Sequence, residues 1–100
     1  MRVAFPTEDG RRISEHFGRS KYFLIYDTKT KEKKLVENPH GEGPDVVGHA
    51  KLLNLLLREE VSKVICWNIG VRMREDLKKV GIKVEFTDEL DISRCLGDKT

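Results

Sequence analysis

The sequence predicts an α/β protein: a mixed five-stranded sheet in the order β-β-β-α-β-α-β, with helices packed on it and room for a final α. Three observations carry that expectation. Five short apolar segments alternate with turn residues, as strands do. Two longer stretches, after the third and the fourth segment, space their apolar residues at helical intervals. The chain has 100 residues, 38% of them hydrophobic, which suits a single domain over 1–100 with one modest core.

The first strand covers Arg2 to Phe5 and ends at Pro6, which cannot donate to a ladder. Thr7 to Ser20 is polar, contains Gly10 and Gly18, and reads as loop. Tyr22-Phe23-Leu24-Ile25-Tyr26 is aromatic and β-branched, hence the second strand. Asp27 to Lys31 turns the chain, and Lys34 to Glu37 pairs back as a hairpin strand. Asn38 to Gly43 is a loop by its breakers. Pro44 suits the first turn of a helix. Val46, Ala50, Leu53 and Leu57 then form its expected apolar stripe, widened by Val47 and Leu56. Leu52 and Leu55 lie off that stripe and are expected to cover a neighbouring element or a second subunit. Lys63 to Trp67 is nearly all apolar, as in a central strand covered on both faces. Met73, Leu77 and Val80 mark a second helix, stopped at Gly81 with Ile82 as the apolar contact behind the stop. Ile82 to Phe86 alternates as the fifth strand, and Asp88 to Leu96 has room for a short helix. A strand–helix–strand crossover joins parallel neighbours, whereas the first three strands can meet by hairpins, so the sheet is mixed.

Charged residues make up 36% of the chain, but 19 Lys and Arg stand against 17 Asp and Glu, a net charge of +2. A dedicated nucleic-acid binder shows a larger basic excess, so no nucleic-acid partner is expected. No apolar run approaches the ~20 residues of a membrane span. Met1 to Pro6 lacks the apolar core of a signal peptide. A cytoplasmic protein without a membrane partner follows as the expectation, a monomer or a weak homo-oligomer. High charge with few Asn and Gln matches the composition of thermophile proteins. Cys66 and Cys95 form no CxxC pair and are expected to be free thiols.

Three segments hold residues that could carry chemistry. In Ile13-Ser14-Glu15-His16-Phe17-Gly18-Arg19, a histidine sits in a polar loop, where a neutral imidazole can serve as a metal ligand. Taken alone, the loop fits slightly better a histidine bonded to its own backbone. Asn68-Ile69-Gly70-Val71-Arg72 turns from a strand's carboxyl end into a helix N-terminus, where free N–H groups favour anions. Asn68 as an ordinary helix cap is the simpler reading there. His40 and His49 flank a Gly-rich loop, but their spacing matches no zinc motif. Cys66 reads first as a buried strand thiol.

Several of these segments together resemble a known family. Phe5-Pro6-Thr7-Glu8-Asp9-Gly10, the run Ile13 to Asp27 with its Ser14-Glu15-His16-Phe17-Gly18-Arg19 core, Glu37-Asn38-Pro39, Ile69-Gly70 and Gly81-Ile82-Lys83-Val84 are similar to the dinitrogenase iron–molybdenum cofactor biosynthesis family, the domain shared by NifX, NafY and the C-terminal part of NifB. The chain departs from that pattern at Trp67-Asn68 and at Val71, where the family has a Gly-rich turn and often a proline. The resemblance implies a ribonuclease-H-like fold. It also implies a small binding or carrier protein for an iron–sulfur or iron–molybdenum-type cluster or its precursor, working with cofactor-assembly proteins. His16 takes the family's histidine position, so the implied cofactor-binding residues are His16, Phe17, Gly18, Arg19, Asn68 and Gly70. His16 is the leading metal ligand, and Cys66 is a second if its strand end approaches the loop. A non-catalytic interaction module with no bound metal is the alternative, supported by Leu52 and Leu55. Enzymatic activity is not expected. Nuclease chemistry needs clustered carboxylates, and neither Val3-Ala4-Phe5 nor Val64-Ile65-Cys66-Trp67 carries one.

Overall fold

The computed structural model describes residues 1–40 and 45–97, so the Gly41 to Gly43 part of the expected loop Asn38 to Gly43 and the helix-starting Pro44 lie outside the described residues. The elements are β1 (Arg2–Thr7), β2 (Tyr22–Asp27), β3 (Lys33–Glu37), α1 (Asp45–Arg58), β4 (Val61–Cys66), α2 (Val71–Lys79), β5 (Lys83–Phe86) and α3 (Ile92–Cys95). The sheet order is β3-β2-β1-β4-β5. β2 runs antiparallel to β1 and β3, while β4 runs parallel to β1 and β5, which is the expected mixed α/β sheet. β1 extends past its expected end: Pro6 pairs with Phe23 of β2, and the β4 ladder stops at Ala4–Val64, short of the proline. No described helix is long and apolar enough to cross a membrane.

Strand alternation divides the core into two clusters. Ala4, Phe23, Ile25, Val64 and Cys66 face α1 and α2, where Leu52, Leu55, Leu56, Met73 and Leu77 meet them. Val3, Phe5, Leu24, Tyr26 and Ile65 face the other way, and Ile13 and Ile92 cover them. β3 is an exposed edge whose lysines guard against edge pairing.

One expectation is corrected. Leu52 and Leu55 are fully buried in the helix-side core, whereas Val46 is 70% exposed and Leu57 43%. The buried face of α1 is Gly48, Leu52, Leu55 and Leu56, spaced i, i+4, i+7, i+8. The stripe Val46, Ala50, Leu53, Leu57 has equally good helical spacing. The leucine-rich run satisfies both phases, and packing selects between them. Leu52 and Leu55 therefore form no surface patch.

The parallel pairing of β1 and β4 places their carboxyl ends at the same edge of the sheet. The loop that follows β1 and the turn that follows β4 emerge there side by side.

Candidate functional site

The loop from Glu8 to Ser20 is held in place by its own polar network and by two apolar anchors. Thr7 Oγ1 donates to Arg12 O at 2.6 Å and accepts from Gly10 N at 2.8 Å. Asp9 Oδ1 accepts from the backbone N–H of Arg11 and Arg12 at 2.8 and 3.0 Å, and these two bonds hold its carboxyl below the usual carboxylate range. Ile13 N donates to Leu90 O and Ile92 N to Arg11 O, tying the loop to the start of α3. Ile13 is buried on one face of the sheet and Phe17 on the other, where its ring meets Phe23 edge-on at 5.0 Å. The loop thus crosses the end of the sheet and is pinned on both sides. His16 lies between the anchors, exposed, with its backbone N–H donating to Ser14 Oγ at 3.2 Å.

Asn38 fastens the far end of the loop. Its Nδ2 donates to Gly18 O at 3.1 Å and Ser20 O at 2.7 Å, while its Oδ1 accepts from His40 N at 2.9 Å. One side chain at the end of β3 therefore fixes both the Gly18–Ser20 backbone and the start of the next segment.

The two segments singled out in the sequence come together. His16, Phe17, Gly18 and Arg19 line one depression of about 170 Å³ with Asn68, Ile69 and Gly70. Gly70, which belongs to that lining, is the N-cap of α2, and no side chain caps that helix. The uncapped N–H groups and the positive end of the helix dipole therefore begin at its rim, a setting that favours anions. Asn68 makes no capping bond and is exposed. Beside it, the Trp67 indole N–H is buried with no hydrogen-bond partner among the described residues. An orphaned buried donor of this kind costs ~1–3 kcal/mol. Arg19 also borders a second depression with Glu8, Asp9, Arg12, Ser14, Glu15 and His16.

Cys66 does not reach this rim. It is fully buried in the helix-side cluster that also holds Phe17. Burial pushes its thiol up to about 11, away from the thiolate that binds metals. Its strand end approaches the His16 loop as the sequence reading required, but the side chain packs as a core thiol. Cys95 is partly buried near the chain end. Among the described residues, no three His, Cys, Asp or Glu are grouped to hold a metal ion by themselves.

A larger cleft of about 550 Å³ opens on the helix side of the same loop. Gly18 and Arg19 form one wall. The remaining lining comes from segments far apart in sequence: His40 after β3, Val46 and His49 on α1, and Arg72 and Asp76 on α2. His49 Nε2 and Asp76 Oδ2 are 2.7 Å apart across 27 residues of sequence, a separation that no local motif reveals.

The profile of the dinitrogenase iron-molybdenum cofactor family matches residues 1–97. An uncharacterized protein of Methanocaldococcus jannaschii is 31% identical over 99 residues, covering 96% of this chain and 82% of that protein. The FeMo cofactor biosynthesis protein NifB of Sinorhizobium fredii is 30% identical over 93 residues, covering 87% of this chain but only 18% of NifB. The apo form of the orange protein from Desulfovibrio gigas shares the fold, with a TM-score of 0.82, 20% identity, and coverage of 96% of this chain and 83% of that one.

Proposed function

The chain belongs to the dinitrogenase iron-molybdenum cofactor family, and from that membership we propose that it is a non-catalytic binding or carrier protein whose cargo is an iron–sulfur-based metal cofactor or its precursor. The observation that carries the reading is the convergence of the His16–Arg19 loop and the Asn68–Gly70 turn on one depression over an uncapped helix N-terminus.

A preassembled cluster brings its own sulfides, so few protein ligands are required. His16 offers an exposed imidazole nitrogen as the single ligand. Arg19, which has no ion pair among the described residues, and the free N–H groups of α2 balance a negative cluster. Phe17 and Gly18 set the loop's position, one by its buried ring and one by its lack of a side chain. Asn68 and Gly70 form the opposite rim. Cys66 is left out of the ligand set by its burial and raised thiol. One-sided contact of this kind suits a carrier that must hand its cargo to an assembly partner. Leu52 and Leu55, which lent support to a metal-free interaction module, are both in the core and offer it no surface.

Anaerobic purification followed by elemental analysis tests the proposal. Iron, with or without molybdenum, in a fixed ratio to protein is the expected result. Protein that stays metal-free after anaerobic exposure to an iron–sulfur cluster would refute it.

A further inference from the structure

The sheet ends at two edge strands, β3 and β5. We infer that the β5 edge is a self-association surface, which takes β5 of a second copy of this chain as an antiparallel neighbour about a two-fold axis through Val84.

The backbone selects that register. β5 pairs with β4 and with no other described strand. Thr87 N donates to Cys66 O at 3.0 Å, in step with the pairing of Phe86 with Cys66. Hydrogen-bonding direction alternates along a strand, so Lys83 and Glu85 also bond inward to β4. Val84 and Phe86 therefore turn their N–H and C=O groups outward, and no described residue takes them up. Ile82 N already donates to Leu77 O at 2.8 Å. An axis through Val84 uses what is left: Val84 exchanges both bonds with its copy, and Phe86 N–H meets the carbonyl of the second copy's Ile82. An axis through Lys83 or Glu85 would set inward-bonded groups against each other. One through Phe86 would carry the partner strand past the end of β5 at Phe86.

The side chains fit the same register. With the axis on Val84, Lys83 stands directly opposite the second copy's Glu85, and Glu85 opposite its Lys83. Opposite charges so placed stabilise a ladder, and like charges there destabilise it. Within the chain, Lys83 lies beside Lys63, whose Nζ is 3.5 Å from Glu85 Oε1. Lys83 itself has no ion pair among the described residues, so the second copy supplies the acid that its own sheet does not. On the helix face, Phe86 is 49% exposed although Arg74 stacks over its ring. Its cross-axis neighbour is the second copy's apolar Ile82. β5 has only four residues, so the contact is small and the dimer weak. Because the two β5 strands run antiparallel, the two His16 depressions open at opposite ends of the shared sheet and stay uncovered. The inference therefore does not rest on cluster binding.

Sedimentation equilibrium of the full chain, at up to about 1 mM, tests it. A monomer–dimer equilibrium with a Kd of about 0.1–0.5 mM is expected. Lys83→Glu and Glu85→Lys should each weaken self-association about tenfold or more, since each sets like charges opposite one another on both sides of the axis. Mixed in equal amounts, the two variants should form a heterodimer about as tight as the wild-type dimer. The double variant carrying both changes should self-associate like the wild type. Leu35→Glu on the β3 edge should change nothing. Far-UV circular dichroism establishes that each variant is folded. A chain that stays monomeric overturns the inference, as do single variants that associate like the wild type. So does a failure of both the mixture and the double variant to restore the dimer. A loss of association in Leu35→Glu would place the contact at the other edge and overturn it too.

Discussion

Replacing Leu52 by alanine separates the two possible faces of α1. Leu52 is wholly inaccessible and belongs to the cluster formed with Leu56, Phe23, Val64 and Leu77. Leu→Ala at such a site loses the transfer free energy of the removed carbons and leaves a cavity that the sheet, paired on both sides, cannot collapse to fill. The expected cost is about 3–4 kcal/mol. For a domain of this size that corresponds to a fall in Tm of roughly 12–25 °C. Leu57→Ala is the matched control. Leu57 is 43% exposed, so the change should cost about 0.5–1 kcal/mol. Thermal and urea unfolding followed by far-UV circular dichroism gives both values. Equal losses for the two variants, or a larger loss for Leu57→Ala, would refute the placement of Leu52 and with it the packing of α1 that shapes the helix-side cleft.

Asn38→Ala should destabilise by about 2 kcal/mol, because it leaves the carbonyls of Gly18 and Ser20 without their donor; amide exchange should rise in residues 17–20 while the core stays protected. Gly81 has φ +83°, and alanine there should cost about 1 kcal/mol in chemical unfolding, whereas Gly70→Ala, at φ −65° with nothing within 4 Å of its Cβ, should be neutral or better. The Cys66 thiol is raised from its ordinary 9.0 to about 11, so the fold prefers the protonated form. That preference is fully present below pH 9 and is lost as pH rises toward 11. Wild-type stability should therefore drop by about 2–3 kcal/mol relative to Cys66→Ala over that interval, and at pH 8 a thiol reagent should label Cys95 while Cys66 waits for unfolding.

Much of this fold was legible because its strands are short apolar runs between strong breakers. β2, from Tyr22 to Asp27, alternates between two buried faces, and β4 is apolar where both faces are covered. The face of α1 was not legible, since Leu52-Leu53-Asn54-Leu55-Leu56-Leu57 supplies an apolar stripe in either phase. The anchors Ile13 and Phe17 were hidden for a different reason. Each is a lone apolar residue among charges, and only the sheet's end gives it a place to be buried. Both halves of the candidate site were visible as local segments, the His16 loop and the Asn68–Gly70 turn. Their meeting depends on the parallel pairing of β1 with β4, a contact across some 60 positions of sequence. His49 and Asp76 likewise meet only after α1 and α2 have packed.

The proposed ligand role of His16 requires that its side chain face a metal cluster and contribute little to the fold. Its most direct test is anaerobic titration of the wild type and of His16→Ala with a preassembled iron–sulfur cluster, followed by visible absorbance, with thermal unfolding of both proteins measured in parallel. The wild type should bind the cluster saturably, and His16→Ala should bind it at least about tenfold more weakly. The Tm values should agree within about 4 °C, as for other exposed substitutions. Undiminished cluster binding by His16→Ala would contradict the claim, and so would a Tm far below that of the wild type.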